Sequence, residues 1–206
     1  MALLYKGSSP LRGVWKMEET SGELLASLAR TADYSPFLER VTSEGRRREY
    51  LASRVLLKAL LGEEVEVAYR PSGAPFFPAL PLRISISHTR GYAAVIVDEH
   101  PTGIDIEYHS DRVLKIRSRF LCPEEESRID PHREVEHLLI HWCAKETLYK
   151  VIDQEAVDFQ EHLHVSPFPY AERGTLRAWE SRTPLRQAFR MAFEVMPAYV
   201  LTYILP

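Results

Sequence analysis

A carboxylate in the middle of an apolar helix stripe is the feature that most constrains how this chain can fold. Residues 134–152 follow the helical period, and their stripe consists of Val135, Leu138, Leu139, Trp142 and Tyr149. Glu146 lies about 20° from the reference direction of that stripe, with Lys145 and Lys150 on either side. An ionised carboxylate that faces a core costs several kcal/mol unless a partner compensates for it. The helix therefore predicts a charged partner for Glu146 elsewhere in the chain.

The segment Gly103-Ile104-Asp105-Ile106-Glu107 supplies a candidate partner. On a strand, Asp105 and Glu107 share one face and the two isoleucines share the other. Taken alone, the simplest interpretation is an amphipathic strand whose polar face meets water. Together with Glu146, the segment predicts that three carboxylates share one Mg²⁺ ion, which prefers oxygen ligands. Lys145 and Lys150 are then predicted to donate to phosphate oxygens of a substrate.

The remaining patterns predict an α+β fold of two similar lobes, each an antiparallel sheet with packed helices. Thr20 is a predicted helix N-cap, and Ser43 or Thr42 caps a longer helix that ends at Gly62. Further helices are predicted at 112–119 and 134–152, and strands at 65–69, 82–87, 92–97, 103–107, 163–165, 175–179, 186–195 and 198–205. We place the lobe boundary near Pro101, which gives an N-terminal lobe of 1–101 and a C-terminal lobe of 102–206.

Charge and composition narrow the class of protein. The formal net charge of the 206 residues is −3, which disfavours a duplex nucleic-acid binder. One basic cluster is either a solvated helix face or a surface for a small polyanion or an acidic protein, and consists of Arg40, Arg46, Arg47, Arg48, Arg54 and Lys58. Two cysteines form no disulfide framework, and the N-terminal apolar run is too short for a signal peptide. We therefore expect a cytoplasmic protein without a membrane span.

Two histidines leave an alternative open. His137 and His141 stand four residues apart on the predicted helix, a spacing that suits zinc. They lack the glutamate of an H-E-x-x-H motif and an evident third ligand, so we expect surface histidines. A zinc hydrolase remains the alternative that they define. No G-x-S-x-G elbow, Walker loop or dinucleotide fingerprint is present.

Three motifs in order resemble the signatures of the 4′-phosphopantetheinyl transferase superfamily. They are Ile84-Ser85-Ile86-Ser87-His88-Thr89, Gly103-Ile104-Asp105-Ile106-Glu107 and Trp142-Cys143-Ala144-Lys145-Glu146-Thr147-Leu148-Tyr149-Lys150. Between the last two, Arg119-Phe120-Leu121-Cys122-Pro123-Glu124-Glu125 is similar to the family's Phe-rich segment. The length resembles the long, single-chain branch, in which two similar lobes form a pseudo-dimer.

The resemblance implies a reaction. Coenzyme A binds between the lobes, and a serine of an apo acyl or peptidyl carrier protein attacks its β-phosphate. The 4′-phosphopantetheine arm moves to the serine, 3′,5′-ADP leaves, and Mg²⁺ offsets the charge on the diphosphate. A monomer is implied, with fatty acid or secondary metabolite biosynthesis as the setting. Acidic carriers would explain the basic cluster through electrostatic steering.

The resemblance also implies roles for individual residues. Asp105, Glu107 and Glu146 match the metal ligands, and Glu146 or Glu125 accepts the serine proton. The residues matched to coenzyme A contacts are Ser87, His88, Lys145, Lys150 and one of Arg46, Arg47 or Arg48, for which Arg48 is our choice. One departure is Gly73-Ala74-Pro75, where the family often has Gly-Lys-Pro; Arg70 is the nearest candidate replacement. Another is Cys122-Pro123 in the Phe-rich segment.

Overall fold

Two antiparallel sheets, one from each half of the chain, form the framework of the protein. The computed structural model describes residues 3–206, apart from the side chain of Ala32, so the first two residues of the predicted N-terminal lobe lie outside the described residues. The first sheet has the strand order β1-β2-β6-β5, the second β7-β11-β10-β9-β8, and a two-stranded hairpin joins β3 and β4. The N-terminal elements are β1 (Leu3–Ser8), β2 (Leu11–Lys16), α1 (Ser21–Ala26), α2 (Thr31–Arg40), α3 (Glu44–Leu61), β3 (Ala68–Tyr69), β4 (Pro75–Phe76), β5 (Arg83–Thr89) and β6 (Tyr92–Asp98).

The C-terminal elements surround one long helix, α6. They are β7 (Ile104–Tyr108), α4 (Arg112–Ile116), a 3₁₀ turn (Arg117–Arg119), α5 (Pro123–Glu126), α6 (Glu134–Ile152), β8 (Leu163–Val165), β9 (Arg173–Glu180), β10 (Ala188–Val195) and β11 (Tyr199–Ile204). The predicted α+β fold of two lobes is confirmed. The four-stranded sheet ends at Asp98 and the five-stranded sheet begins at Ile104, on either side of the boundary that we placed near Pro101.

Local signals explain most of the element ends. Thr20 caps α1 through a capping box with Glu23, and Ser43 caps α3 by accepting the N–H of Arg46. Gly62 ends α3 with a φ of 86°, a left-handed conformation that glycine adopts without strain. Strands β1 and β2 and helix α2, which carries an internal Pro36, were not predicted. The predicted strand at 65–69 is reduced to the two residues of β3.

A buried apolar layer joins the two lobes. Ile104 and Ile106 of β7 pack with buried residues from both lobes. These residues lie on β2, β6, β10 and β11 and are Val14, Ala94, Ile96, Ala192, Tyr199, Leu201 and Tyr203. Near this layer, the guanidinium of Arg12 on β2 donates to the hydroxyl of Tyr203 on β11 across 2.7 Å. Each lobe also has its own core, built around α3 and α6 respectively. The lobes are therefore joined by packing as well as by the chain.

Candidate active site

The acidic face of β7 lies against α6. Asp105 and Glu107 project to the side opposite Ile104 and Ile106, as the alternation predicts, because the two isoleucines enter the layer between the lobes. Lys150 Nζ of α6 donates to Asp105 Oδ1 across 2.7 Å. Near the other end of β7, Trp142 Nε1 donates to Glu107 Oε1 across 3.0 Å. The helix therefore runs along the strand in the opposite direction.

Glu146 lies between these two contacts. It is four residues from both Trp142 and Lys150, so the three side chains share one face of α6. Burial raises the pKa of Glu146 to about 7, the charge of Asp105 and to a lesser extent Glu107 adds to the rise, and Lys150 opposes it. Glu146 on α6 thus faces the side of β7 that carries Asp105 and Glu107.

The same environment acts on Glu107. Burial and the charge of Asp105 raise the pKa of Glu107, whereas the hydrogen bond from Trp142 and the charge of Lys150 lower it. Three carboxylates thus face one nearby ammonium group. If all three ionise, an excess of negative charge is left at this position, which favours a bound cation.

The donor set fits a hard cation such as Mg²⁺. Asp105 Oδ2 is buried and has no hydrogen-bond partner among residues 3–206, which is costly unless another group compensates for it. Glu146 makes no side-chain hydrogen bond or ion pair with any residue of 3–206. Within the same range, no three acidic, histidine or cysteine side chains are already close enough to hold one ion. A shared ion therefore requires a change in side-chain positions.

Hydroxyl groups from the N-terminal lobe complete the surroundings of the acids. Ser87 Oγ on β5 donates to Asp105 Oδ1 across 2.7 Å, and Thr89 Oγ1 contacts Glu107 Oε2 at 3.4 Å. Sequence reasoning matched Ser87 to the phosphates of coenzyme A, but in the structure its proton is committed to Asp105. The contacts of Thr89 and Trp142 with Glu107 were missed, although both residues belong to the motifs quoted above.

His88 and Arg48 lie apart from the acids. His88 is next to Ser87 on β5 and therefore points to the opposite face of the sheet, where its Nδ1 is 3.5 Å from Glu49 Oε2 of α3. Arg48 donates to the backbone oxygen of Met17. A phosphate group that contacts them would therefore be separate from the group that contacts the acids.

The neighbouring arginines of α3 differ in how far their guanidinium groups are engaged. Arg47 donates to the backbone oxygens of Val41 and Leu38. Arg46 is exposed and makes no side-chain hydrogen bond within residues 3–206. Arg48 remains our choice for a phosphate contact, and Arg46 is the more accessible of its two neighbours.

Lys145 and Glu125 form a buried ion pair, and this placement corrects two sequence predictions. Lys145 Nζ is completely buried and donates to Glu125 Oε2 across 2.7 Å, to Phe159 O across 2.9 Å and to Phe120 O. The second oxygen of Glu125 accepts the N–H of Val165. With all three ammonium protons used, Lys145 has none to offer a phosphate group. Glu125 is equally enclosed, so it is not placed to accept a proton from a substrate.

The predicted surface histidines are also buried, so that prediction was wrong. His137 and His141 contact each other and the ring of Phe168. The Nδ1 atom of His137 accepts the backbone N–H of Asp130. Burial lowers the pKa of His141 to about 3. A third zinc ligand for this pair is lacking among residues 3–206.

Two clefts lie on either side of the acids. The first has a volume of about 900 Å³ and lies between the β3–β4 hairpin and the C-terminal end of α6; Arg70, Ala74, Ser85 and Lys150 are among its lining residues. The second, about 390 Å³, is lined by Glu107 and Trp142 together with Arg112, Val113, Ile116, Arg119 and Phe159. Asp105 and Glu146 lie between the two clefts along β7 and α6. Lys150 of the first cleft contacts Asp105, and Glu107 lines the second, so the acidic group is adjacent to both clefts.

Comparisons with known proteins identify the family of the chain. A family model described as the 4′-phosphopantetheinyl transferase superfamily matches residues 101–202, and one described as the 4′-phosphopantetheinyl transferase N-terminal domain matches residues 37–98. The chain therefore belongs to the 4′-phosphopantetheinyl transferase superfamily. A 4′-phosphopantetheinyl transferase of Bacillus subtilis is 31% identical over 106 aligned positions, and the match covers 46% of this chain and 47% of the relative. The match thus spans about half the length of that relative.

None of the described helices is long and apolar enough to cross a membrane.

Proposed function

We propose that this protein transfers the 4′-phosphopantetheine arm of coenzyme A to a serine of an acyl or peptidyl carrier protein. The single observation that carries the proposal is the group of Asp105, Glu107 and Glu146 with Lys150, placed between two clefts. Membership of the superfamily supports the reaction class. A further consideration is that carboxylates and an ammonium group are the parts that phosphoryl transfer requires for positioning and for charge compensation.

Coenzyme A binds in the first cleft in this proposal. A volume of about 900 Å³ is at the upper end of the range for small-molecule sites. The cleft has residues of both lobes in its walls, and Arg70 and Lys150 give it positive charge for phosphate groups. Lys150 reaches Asp105 from the same cleft, so its ammonium group can contact a diphosphate next to the acids.

Mg²⁺ is held by Asp105, Glu107 and Glu146. When bound, the ion offsets negative charge that builds up on the diphosphate during transfer. The buried, unpartnered Oδ2 of Asp105 and the unpaired Glu146 support this donor set. Glu107 is held in place by Trp142 and Thr89.

Glu146 accepts the proton of the attacking serine, directly or through a water molecule. The serine oxygen forms a bond to the β-phosphorus, the bond from that phosphorus to the bridging oxygen breaks, and 3′,5′-ADP departs with the bonding electrons. Without a bound ion, burial and the charge of Asp105 raise the pKa of Glu146 to about 7. Glu125 has no part in this step because Lys145 and the N–H of Val165 occupy its oxygens.

The carrier protein approaches from the second cleft. Its rim has two arginines, Arg112 and Arg119, and its walls are largely apolar, with Val113, Ile116 and Phe159 among them. A carrier with acidic groups around an apolar patch complements this surface. We propose a monomeric, cytoplasmic enzyme, and size-exclusion chromatography tests the first of these properties.

The deciding experiment is an incubation with Mg²⁺, coenzyme A and a panel of apo-carriers. Transfer is read as a gain in carrier mass that includes the phosphopantetheine group, and as release of 3′,5′-ADP. Chelation of the metal with EDTA should abolish the gain. A carrier whose serine is replaced by alanine should gain no mass. An absence of any gain with every carrier in the panel would refute the proposal.

Ala74 favours a second candidate, a protein that binds coenzyme A without transferring its arm. This residue lies in the first cleft at the position where the family often has a lysine. Binding of coenzyme A and metal with no gain in carrier mass would support this alternative. Ala74→Lys should then raise the affinity for coenzyme A, measured by calorimetry, without producing transfer.

A further inference from the structure

The open edge of β7 is covered by hydroxyl groups from the other lobe. Strand β5 places Ser85, Ser87 and Thr89 on one face, and each hydroxyl oxygen accepts a backbone N–H of β7. The donors are Ile104 N at 3.2 Å, Ile106 N at 3.4 Å and Tyr108 N at 3.1 Å, in that order. These N–H groups lie on the edge of β7 away from its partner β11, so they would otherwise have no ladder partner.

Two of the three hydroxyls have a second contact. Ser87 donates its only hydroxyl proton to Asp105 Oδ1 at 2.7 Å, and Thr89 directs its own to Glu107 Oε2 at 3.4 Å. Ser85 contacts no carboxylate within residues 3–206. The three residues therefore share one structural role, and only Ser87 and Thr89 have a second role at the acids.

The contacts of Asp105 show what this second role does. Its Oδ1 accepts from Ser87 and from Lys150, both at 2.7 Å, whereas its Oδ2 is buried and has no hydrogen-bond partner in the described part of the chain. Two donors on one oxygen fix the rotation of the carboxylate, so the other oxygen is the one left for an ion. Outer hydrogen bonds of this kind orient metal ligands and account for much of the affinity of a metal site.

We propose that Ser87 and Thr89 are positioning residues that orient Asp105 and Glu107 for a divalent ion. The C-terminal lobe supplies the carboxylate ligands, and the N-terminal lobe supplies the hydroxyls that hold them. The inference rests on the proposed metal role of the acids. It assigns Ser87 to the metal site rather than to the phosphates of coenzyme A.

Binding of Mn²⁺ to the full-length chain tests the proposal without turnover. The protein is saturated with coenzyme A, no carrier is present, and Mn²⁺ affinity is measured by calorimetry and by the electron paramagnetic resonance signal of the free ion. Ser87→Ala should weaken Mn²⁺ binding by roughly tenfold or more. Ser85→Ala is the matched control, because it removes a hydroxyl that covers the same edge but touches no acid.

Each variant leaves one N–H of β7 without its acceptor, and Ser87→Ala should lose more thermal stability than Ser85→Ala because it also removes the hydrogen bond to Asp105. Ser85→Ala should change Mn²⁺ affinity by less than about twofold, far below the loss that an outer hydrogen bond of a metal ligand causes. Equal Mn²⁺ affinity for Ser87→Ala and Ser85→Ala would overturn the proposal. The hydroxyls would then have only their structural role.

If Ser87→Ala does not fold, two variants of Thr89 test the proposal instead. Thr89→Val keeps the shape of the side chain and removes the hydroxyl, whereas Thr89→Ser keeps the hydroxyl. Weaker Mn²⁺ binding in Thr89→Val and recovery in Thr89→Ser support the proposal, and equal binding in both contradicts it. If the unaltered protein binds Mn²⁺ but modifies no carrier, the proposed function fails while this comparison still stands. If it binds no Mn²⁺, the inference and the metal assignment both fail.

Discussion

Lys145 donates to Glu125 across 2.7 Å inside the C-terminal lobe, while its neighbour Glu146 faces the acids of β7 on another side of α6. Adjacent residues of one motif thus serve two different purposes. Lys145 ties α6 to the segments that contain Phe120 and Phe159, both of which contact the ring of Trp142. The ion pair therefore supports the wall of the second cleft rather than a phosphate group.

Removal of one partner of this pair should destabilise the protein strongly. We expect Lys145→Met to lower the free energy of unfolding by about 3–5 kcal/mol, because Glu125 is left as an unpaired buried charge. Urea denaturation followed by circular dichroism measures the loss. The control, Lys16→Met, removes an exposed pair with Glu18 and should leave the denaturation midpoint near that of the unaltered protein. A Lys145→Met protein as stable as the control would contradict the assignment.

Replacement of Glu146 separates activity from folding. Glu146→Gln should reduce carrier modification by at least about a hundredfold, because it removes a side chain that we propose as both a metal ligand and the proton acceptor. In the presence of EDTA the variant should be as stable as the unaltered protein or more so, since repulsion with Asp105 and Glu107 disappears. Near-normal transfer by a folded Glu146→Gln protein would rule out both roles.

Lys150 should affect the affinity for coenzyme A. We expect Lys150→Gln to raise the KM for coenzyme A by roughly tenfold, since a hydrogen bond from a charged donor contributes about 1.5–3 kcal/mol. Initial rates at varied coenzyme A concentration measure the change, with the KM for the carrier as an internal reference. Lys115→Gln, on α4, provides a control with the same change of charge. An unchanged KM for coenzyme A would argue against a phosphate contact.

Gly103 sets the distance between β7 and α6. A Cβ atom at this position would lie 2.7 Å from the backbone oxygen of Thr147, so Gly103→Ala should force the strand and helix apart. We expect a loss of about 1–3 kcal/mol in the free energy of unfolding. Carrier modification should also fall, because Asp105 and Glu146 move relative to each other. The control is Gly45→Ala in α3. A Cβ atom there would contact only Ser43 Oγ, at 3.8 Å, so this variant should be slightly more stable than the unaltered protein. Equal stability of the two variants would contradict this prediction.

Acid should destabilise the protein through His141. Its pKa is about 3 in the folded protein and 6.5 ordinarily, so below pH 6.5 the unfolded chain binds a proton that the folded chain does not. Its contribution to stability is complete above about pH 6.5 and is lost as the pH falls towards 3, by about 3 kcal/mol between pH 6.5 and 4. His141→Leu should lose less stability over this range in urea titrations, whereas the exposed His132→Leu should follow the unaltered protein. Identical pH profiles for all three would refute the assignment.

Sequence patterns predicted the bounds of α6 and the direction of the acidic side chains of β7. They did not predict which other faces of α6 are buried. The bounds of α6 were predicted to the residue, and the alternation in β7 placed Asp105 and Glu107 correctly. Lys145, His137 and His141 were misplaced because a single apolar stripe assumes one buried face. In the structure α6 packs against β7 and β11 on one side, and its histidines meet Phe168 on another. The burial of these side chains depends on segments that are distant in sequence. The periodicity of the helix contains no information about those segments.

The contact between Ser87 and Asp105 was missed for a related reason. Hydroxyl and imidazole groups at the end of a strand are typical of an anion-binding site. Residues 84–89 alone do not indicate that the edge of another strand lies opposite. Only the arrangement of the two sheets shows that the hydroxyls of β5 face the N–H groups of β7. Long-range pairing of this kind is a property of the assembled fold.

The hydroxyl groups of β5 also affect how the C-terminal lobe would behave without the N-terminal lobe. A fragment that starts near residue 102 would keep the five-stranded sheet but lose the cover over β7, and three amides would become available to any passing strand. An open edge of this kind favours pairing between copies of the fragment. The N-terminal lobe thus covers a strand edge of the C-terminal lobe that would otherwise be open to pairing.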